Sequence, residues 1–341
     1  SFDLDPNNIE SMTVLKGAAA AALYGSRAAN GVIVVTTKAA KKGTKKGLEI
    51  TVSSGYQIEE VANLPDYQTR YTQGNNFKYV DGNYGTWGAP FDVSHPYWQN
   101  PLNANLLLSV SPDGTAWVDH PYDRYPTRFP QFVGDSIPLY PNLPAKQFFE
   151  QGFLFENGVT VSGGNDKASI VAGFSHMKNE GIVPENQVQR VSMNIGGNVQ
   201  LDNGFFLSGN FSYVNTDMTS PPTAGLFTGG TSVTERTLFA PPNVDLTGIP
   251  YVDSDGNGAF YRPDNDNPIF LSKYAPHTSV VNRYYGSAMI GYEVNDWLTI
   301  TYKAGINGFT DSKFNVLPIS TNVQPIGQMI SDEIRRMEID A

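Results

Sequence analysis

The stretch RVSMNIGGNVQLDNGFFLSGNFSYV, residues 190–214, decides the class of fold. Val191, Met193, Ile195, Val199 and Leu201 alternate with Ser192, Asn194, Asn198 and Gln200, and a period of two gives a strand one apolar and one polar face. Asp202-Asn203-Gly204 interrupts the pattern as a tight turn, and Gly204–Val214 reads as the returning strand. On either side of this hairpin the same alternation recurs. Leu48, Ile50, Val52, Tyr56 and Ile58 oppose Glu49, Thr51, Ser53, Gly55 and Gln57; Leu298, Ile300, Tyr302, Ala304 and Ile306 oppose Thr299, Thr301, Lys303, Gly305 and Asn307. Noisier strands are predicted over Phe155–Ser162, Ala168–Lys178 and Val280–Val294, which makes seven in all.

The connections are of two kinds. Short turns fall at 163–167, 202–204 and 294–296, and longer segments at 59–154, 179–187 and 215–279, in strict alternation over the last six strands. Outer-membrane barrels have tight turns at one end and long loops at the other, whereas a sandwich spreads its loop lengths over both. The polar faces are mostly Ser, Thr, Asn, Gln and Gly, and tyrosines with Trp297 lie near strand ends, as interfacial girdles require. A soluble β-protein is the competing reading of the periodicity. On the barrel reading Leu48, Ile50, Val52, Val191, Met193, Ile195, Leu298, Ile300 and Tyr302 face lipid and their neighbours face the lumen.

Composition excludes several classes. The 33 acidic and 23 basic residues leave a net charge of -10, the wrong sign for a general nucleic-acid binder. The absence of cysteine removes disulfide scaffolds, thiolate metal sites and cysteine nucleophiles. Ala18–Leu23 and Val32–Val35 are far shorter than the roughly 20 apolar residues of a membrane-spanning helix. The start, with Asp3, Asp5 and Pro6, lacks the composition of a secretory signal, which is expected of a cytosolic protein or of a chain whose beginning lies elsewhere.

Residues 9–38, IESMTVLKGAAAAALYGSRAANGVIVVTTK, read as strand, alanine-rich helix ending at Gly25, and β-branched strand. This run closely resembles the end of the plug domain of TonB-dependent outer-membrane transporters, in the SusC/RagA-like branch found in Bacteroidota. NGVTVSGGNDKASIVAGFSHMKNEGIV (157–183) resembles an early barrel hairpin of that family. NPIFLSKY (267–274) with NRYYGSAMIGYEVNDWLTITYKAGIN (282–307) resembles a later one, and the quoted runs cover 91 of 341 residues. The resemblance implies an all-β transmembrane barrel, here partial, antiparallel and up-and-down, with the C-terminal part of a small α/β plug domain. Its expected limits are 1–40 for the plug segment, 41–47 for a basic linker exposed on the periplasmic side, and 48–341 for the N-terminal part of the barrel. Seven strands are too few and odd in number for a closed bacterial barrel, so the chain is expected to be a fragment.

The same resemblance implies plug-gated import of a glycan or oligopeptide across the outer membrane. A SusD-like surface lipoprotein would form the lid, a TonB-ExbB-ExbD complex would supply energy, and outer-membrane lipid would surround the wall. No enzymatic activity is expected: there is no G-x-S-x-G elbow, no spaced histidine pair among His95, His120, His176 and His277, and no carboxylate pair marked by its surroundings. Two rival readings are a secreted calcium-binding β-rich module that binds or cleaves glycans, and a barrel of the same family serving assembly or anchoring with transport lost.

Two local features suggest sites. Asp253, Asp255 and Asn257, then the Ala259 carbonyl and Asp264, follow the spacing of an oxygen-ligand calcium loop with aspartate in place of the last glutamate, so Ca2+ is the expected cofactor. A solvated Asp/Asn/Gly turn is the alternative. The segment from Tyr67 to Tyr140 interleaves aromatic with polar residues, and Trp87, Trp98 and Trp117 are its candidates for stacking on cargo. The alternative for these rings is packing within the loops or contact with a lid protein.

Overall fold

The computed structural model describes residues 9–16, 20–22, 25, 28, 30–37, 47–104, 109–223, 232–262 and 264–340. β1 (Ile9–Leu15) and β2 (Val32–Thr37) form a two-stranded antiparallel sheet of their own. Residues 20–22 between them are helical, and Gly25 closes the turn at a φ of 74° with its N–H on the Ala21 carbonyl, a left-handed stop natural to glycine. The basic linker 41–47 lies outside the described residues except for Gly47, which opens the next strand.

β3 (Gly47–Glu59) begins an eight-stranded sheet. It continues with β9 (Gly152–Gly164), β10 (Ala168–Glu180), β11 (Gln187–Gln200), β12 (Phe205–Ser220), β13 (His277–Asn295), β14 (Leu298–Leu317) and β15 (Gln328–Asp340). Each wall strand pairs antiparallel with the next, so the sheet is a plain up-and-down meander with β3 and β15 at its open edges. The seven predicted strands are all present and run longer than predicted. β15 is the addition. Its outward positions Arg335 and Glu333 and its inward positions Arg336 and Glu338 carry charge on both faces, which erases the period-two signal.

The register aligns the faces of successive strands. Val52 lies opposite Val159, Val159 opposite Phe174, Phe174 opposite Met193, and Met193 opposite Tyr213. Ile195 opposes Phe211, Leu207 opposes Ile290, and Ile290 opposes Tyr302. All nine residues expected to face lipid therefore share one side of the sheet. On β11 the apolar positions run from Leu201 to Val191, and about ten residues at roughly 3.3 Å, tilted by about 45°, give a belt close to the 25 Å of an outer-membrane wall. Beyond the belt, toward the long loops, the same face turns polar at His176, Lys178, Gln189, Asn215 and Asp217. The cross-strand pair Tyr213 and Tyr284 stands at that border, and Phe205 with Tyr292, ring centroids 4.4 Å apart, and the exposed Trp297 stand near the opposite one.

Burial is inverted relative to a soluble protein. Ile195 is 52% exposed, while Ser192 and Ser212 on the other face are 4% and 2% exposed. Inward polar groups satisfy one another: Asn198 Nδ2 donates to Ser169 Oγ at 2.7 Å, Ser287 Oγ to Asn210 Oδ1 at 2.9 Å, and Ser279 Oγ to Asp311 Oδ1 at 2.7 Å. A β-sandwich would bury the apolar face against a second sheet, and the named outward side chains have none over them. The soluble-sandwich alternative is set aside on this ground. No helix among the described residues is long and apolar enough to cross a membrane.

Replacing Ile195 by Arg should destabilise the inserted wall by about 2–4 kcal/mol, because a charge at mid-belt has no partner in hydrocarbon. Asn194→Arg, one residue along and facing inward, should cost much less. Unfolding of the full-length protein from lipid vesicles compares the two, and equal losses would contradict the assignment of faces.

Candidate functional site

At the long-loop end, the described residues of segments 60–151 and 221–276 and the 318–327 connection fold together into a cap. Long segments with little regular structure must bury apolar groups to stay ordered, and three aromatic-rich clusters do this. The first joins Phe148, Val233, Leu246, Phe260 and Leu271, with Val183 from the β10–β11 connection and Leu317 from the end of β14 packed against it. A second gathers Ala89, Trp98, Val118 and Leu139, and a third Tyr122, Phe129, Ile249 and Ala259. Small sheets support them: β4 (Gly74–Asn75) with β5 (Lys78–Tyr79), and β6 (Ser109–Val110), β7 (Ala116–Asp119) and β8 (Ser136–Leu139).

Polar contacts lock one segment to another. Gln73 N–H donates to Asn243 Oδ1 at 2.7 Å, Tyr122 Oη to the Pro250 carbonyl at 2.7 Å, and Arg124 Nη2 to the Tyr261 carbonyl at 3.1 Å. Arg128 reaches furthest into the 253–264 loop, with Nε on Asp253 Oδ2 at 2.8 Å and Nη2 on the Gly258 carbonyl at 2.9 Å. The third segment is tied by Asp266 Oδ1, which accepts from Asn322 N–H at 2.9 Å, and by Ser320 Oγ, which accepts from Gly258 N–H at 2.8 Å. Asn267 caps the helix Pro268–Tyr274 by accepting from Ile269 N–H at 2.9 Å.

The three candidate tryptophans separate. Trp98 is buried and its Nε1 donates to the Pro90 carbonyl at 2.9 Å, so it is a core ring. Trp117 is half-buried, with Nε1 on Ser111 Oγ at 2.8 Å. Trp87 is 58% exposed and presents its ring beside Tyr71 and Phe77, at centroid distances of 5.6 and 6.3 Å. The β4–β5 turn behind it places Asn76 and Phe77 at φ of 51° and 58°, the left-handed pair of a two-residue hairpin turn. A bulky residue there is strained by about 1 kcal/mol or more, and ring packing by Phe77 offsets it. Phe77 N–H also donates to the Trp87 carbonyl at 3.0 Å, so the exposed indole stands on a braced backbone.

Trp87 borders a cavity of about 910 Å³ shared with Tyr67, Tyr84, Phe239, Arg236 and Glu235. Of these only Trp87 was singled out by sequence reasoning. Phe239 follows the helix Val233–Leu238, and its remoteness from Trp87 in sequence left no local signal.

Of the five expected calcium ligands, Asp253 and Asp264 are each held by an arginine. Asp253 is buried and both carboxylate oxygens are engaged: Oδ1 accepts from the N–H groups of Asp255 and Asn257 at 3.0 and 2.9 Å, and Oδ2 from Arg128. Burial pushes its carboxyl up, yet the Asn257 N–H and the Arg128 guanidinium prevail and hold it below the usual carboxylate range. Asp264 pairs with Arg262, whose hydrogen bond lowers its pKa, while Asp255 is exposed. The Ala259 carbonyl belongs to a residue of the third cluster, whose N–H donates to the Tyr251 carbonyl at 2.9 Å. Among the described residues no three His, Cys, Asp or Glu side chains come together as a metal site. An Asx-type turn and a calcium loop share the Asp-x-Asp-x-Asn-Gly spacing, so the spacing serves either.

Calcium binding here remains a proposal, and it would require Asp253 to exchange Arg128 for the ion. Limited proteolysis of the 253–264 loop separates the alternatives. Arg128→Ala should destabilise the loop by about 1–3 kcal/mol, because the buried Asp253 carboxylate loses its guanidinium and keeps only the longer 3.3 Å bond from Asn257 Nδ2 on that oxygen, and cleavage of the unmutated loop should be the same with and without calcium. Calcium-dependent protection of the unmutated protein would restore the metal reading.

Asp266 behaves in the opposite sense. Burial raises its carboxyl from 3.8 to about 6, against the downward pull of the Asn322 N–H and of Arg236. An acid disfavoured as its anion destabilises the fold fully above about pH 6, and that penalty fades as pH falls toward the unfolded value. Asp266→Asn keeps an oxygen for Asn322, so the cap should be at least as stable as the unmutated one at pH 7, and the advantage should vanish below about pH 4. A pH series of cap proteolysis measures this.

Comparison with known proteins places the whole arrangement. Residues 1–32 match the TonB-dependent receptor plug domain. The chain is 26% identical over 300 residues to TonB-dependent receptor P3 of Formosa agariphila, covering 86% of this chain and 24% of that protein. It is 60% identical over 129 residues to TonB-dependent receptor SusC of Bacteroides thetaiotaomicron, covering 37% of this chain and 12% of that one. Its fold is similar to the RagAB peptide importer in the open-open state, with a TM-score of 0.69 at 18% identity over 99% of this chain and 36% of the other. The chain thus spans about a quarter or less of the curated relatives named here. The SusC/RagA-like resemblance holds, and the eight strands are part of the wall of an outer-membrane β-barrel.

Proposed function

We propose that this chain, which pairs a plug segment with an outer-membrane barrel wall of the SusC/RagA-like kind, serves TonB-dependent import of an oligomeric nutrient, a glycan or an oligopeptide. The inverted burial of the wall is the observation that carries the reading: an apolar outer belt with a hydrogen-bonding inner face suits a polar passage through lipid. TonB-dependent receptors are transporters, and we assign this chain no catalytic role. The braced aromatic rim at Trp87 and the folded cap around it suit capture of cargo at the cell surface and docking of a SusD-like lipoprotein. Release of the plug by a TonB-ExbB-ExbD complex would open the passage.

We also assign residues 1–40 to the plug, 41–47 to a linker and 48–341 to the wall with its cap. Support comes from β1 and β2 pairing only with each other and from the wall starting at Gly47. Cells carrying the full-length gene should take up labelled oligomers and grow on them, and deletion of the gene or of TonB should abolish both. Substituting Trp87 by Ala in the full-length protein should reduce uptake several-fold while barrel insertion is unchanged. Undiminished uptake in the gene deletion would reject the importer reading and favour the anchoring role.

A further inference from the structure

From the lining of the Trp87 cavity we infer that it binds a ligand bearing a positively charged amino or guanidinium group, an inference that rests on the import reading and narrows its cargo. The walls are rings, Tyr67, Tyr84, Trp87 and Phe239, and the acidic side chains on the lining are Asp66 and Glu235. Aromatic faces carry negative quadrupole potential and attract cations within about 6 Å of the ring centre, most strongly for indole. Arg236, the basic residue on this lining, is turned to Asn265, with Nη1 on Oδ1 at 2.7 Å. Asp66 is exposed at the rim, where a charged ligand would meet it first.

The cap already accommodates its own cations in this way. The Arg262 guanidinium lies over the Tyr84 ring at 3.6 Å, Lys273 over Tyr251 at 4.7 Å, and Arg128 over Phe129 at 5.5 Å. Arg262 takes one face of Tyr84, and Trp87 remains open to a ligand. The surrounding field has the matching sign: segments 60–151 and 221–276 contain 15 acidic and 8 basic residues. A polyanionic cargo would meet repulsion at the cap, and a cationic one would be drawn in, more weakly as salt rises.

Two sources could supply the charge, a basic peptide or an amino sugar, and acetylation removes it from either without changing the backbone. Binding of the detergent-solubilised full-length receptor to four probes is therefore compared by calorimetry: oligolysine, its Nε-acetylated form, a glucosamine oligomer and its N-acetylated form. At least one charged probe should bind tenfold or more tightly than its acetylated partner. That preference should shrink at least threefold between 50 and 300 mM salt and at least threefold in both Trp87→Ala and Asp66→Asn, two exposed positions outside the buried clusters. Which pair shows the preference identifies the source. Equal affinity within both pairs, no binding of any probe, or a preference that survives either substitution overturns the inference. Uptake by cells is read separately: charge-selective binding without uptake sinks the importer reading and leaves the site, whereas uptake indifferent to acetylation sinks the site and leaves the importer.

Discussion

Everything in the wall follows from the backbone pairing of eight strands in a medium that offers no alternative partner. In hydrocarbon an unpaired N–H or C=O costs several kcal/mol, so the ladders must run unbroken across the belt. Once they do, side chains alternate with a period of two, and the register decides which set meets lipid. A slip of one residue between β11 and β12 would put Ser192 and Asn194 beside Phe211 and Tyr213 on the outside. The aligned pairs Met193 with Tyr213 and Ile195 with Phe211 fix the register against this slip, as does the three-sided fit of turn, strand and belt at Asp202–Gly204. One irregularity, between Glu293 and Asn295, falls at a turn outside the belt.

The cap obeys different physics. Water reaches its chain, so the backbone need not pair in ladders, and order comes from buried rings and from charges held across long sequence distances. Arg128 and Asp253 are 125 residues apart, yet the carboxylate is buried and depends on that guanidinium. Removing either partner would strand the other, which makes such a pair a weak source of stability and a strong determinant of which loops meet. Val183, in the β10–β11 connection, and Leu317, at the end of β14, carry this order into the wall, because both pack on the cap's first cluster. The wall thus sets the separation of the loop ends, and the cap closes over what that separation allows.

This division explains what the amino-acid sequence disclosed. Wall strands with charge confined to one face were legible from alternation alone, as in Leu48–Ile58 and Leu298–Ile306, and of the described wall strands β15, with Arg335 outward and Arg336 inward, escaped. The cap was legible as aromatic-rich loop but not in its contacts. Trp98 and Trp87 have the same local surroundings of Pro, Gly and polar residues, and only tertiary packing makes one a core ring and the other a rim. The Asp253 loop is ambiguous for a related reason. Its spacing encodes a turn whose N–H groups point at one carboxylate, and whether a calcium ion or an arginine completes that carboxylate depends on a residue outside the motif.

The distribution of charge links the two halves. None of the outward residues named in the belt is ionisable at neutral pH, as hydrocarbon demands, so the chain's acidic excess is concentrated where water is. Part of it is neutralised within the cap, through Arg128 on Asp253, Arg124 on Asp81 and Arg262 on Asp264. Those pairs take three of the eight basic residues in the two large segments, so that twelve acids stand against five basic residues in the rest of their sequence. Any selectivity by charge must therefore reside at the cap or on the inner face, and at the cap its sign is already set by the same composition that keeps the belt free of charge.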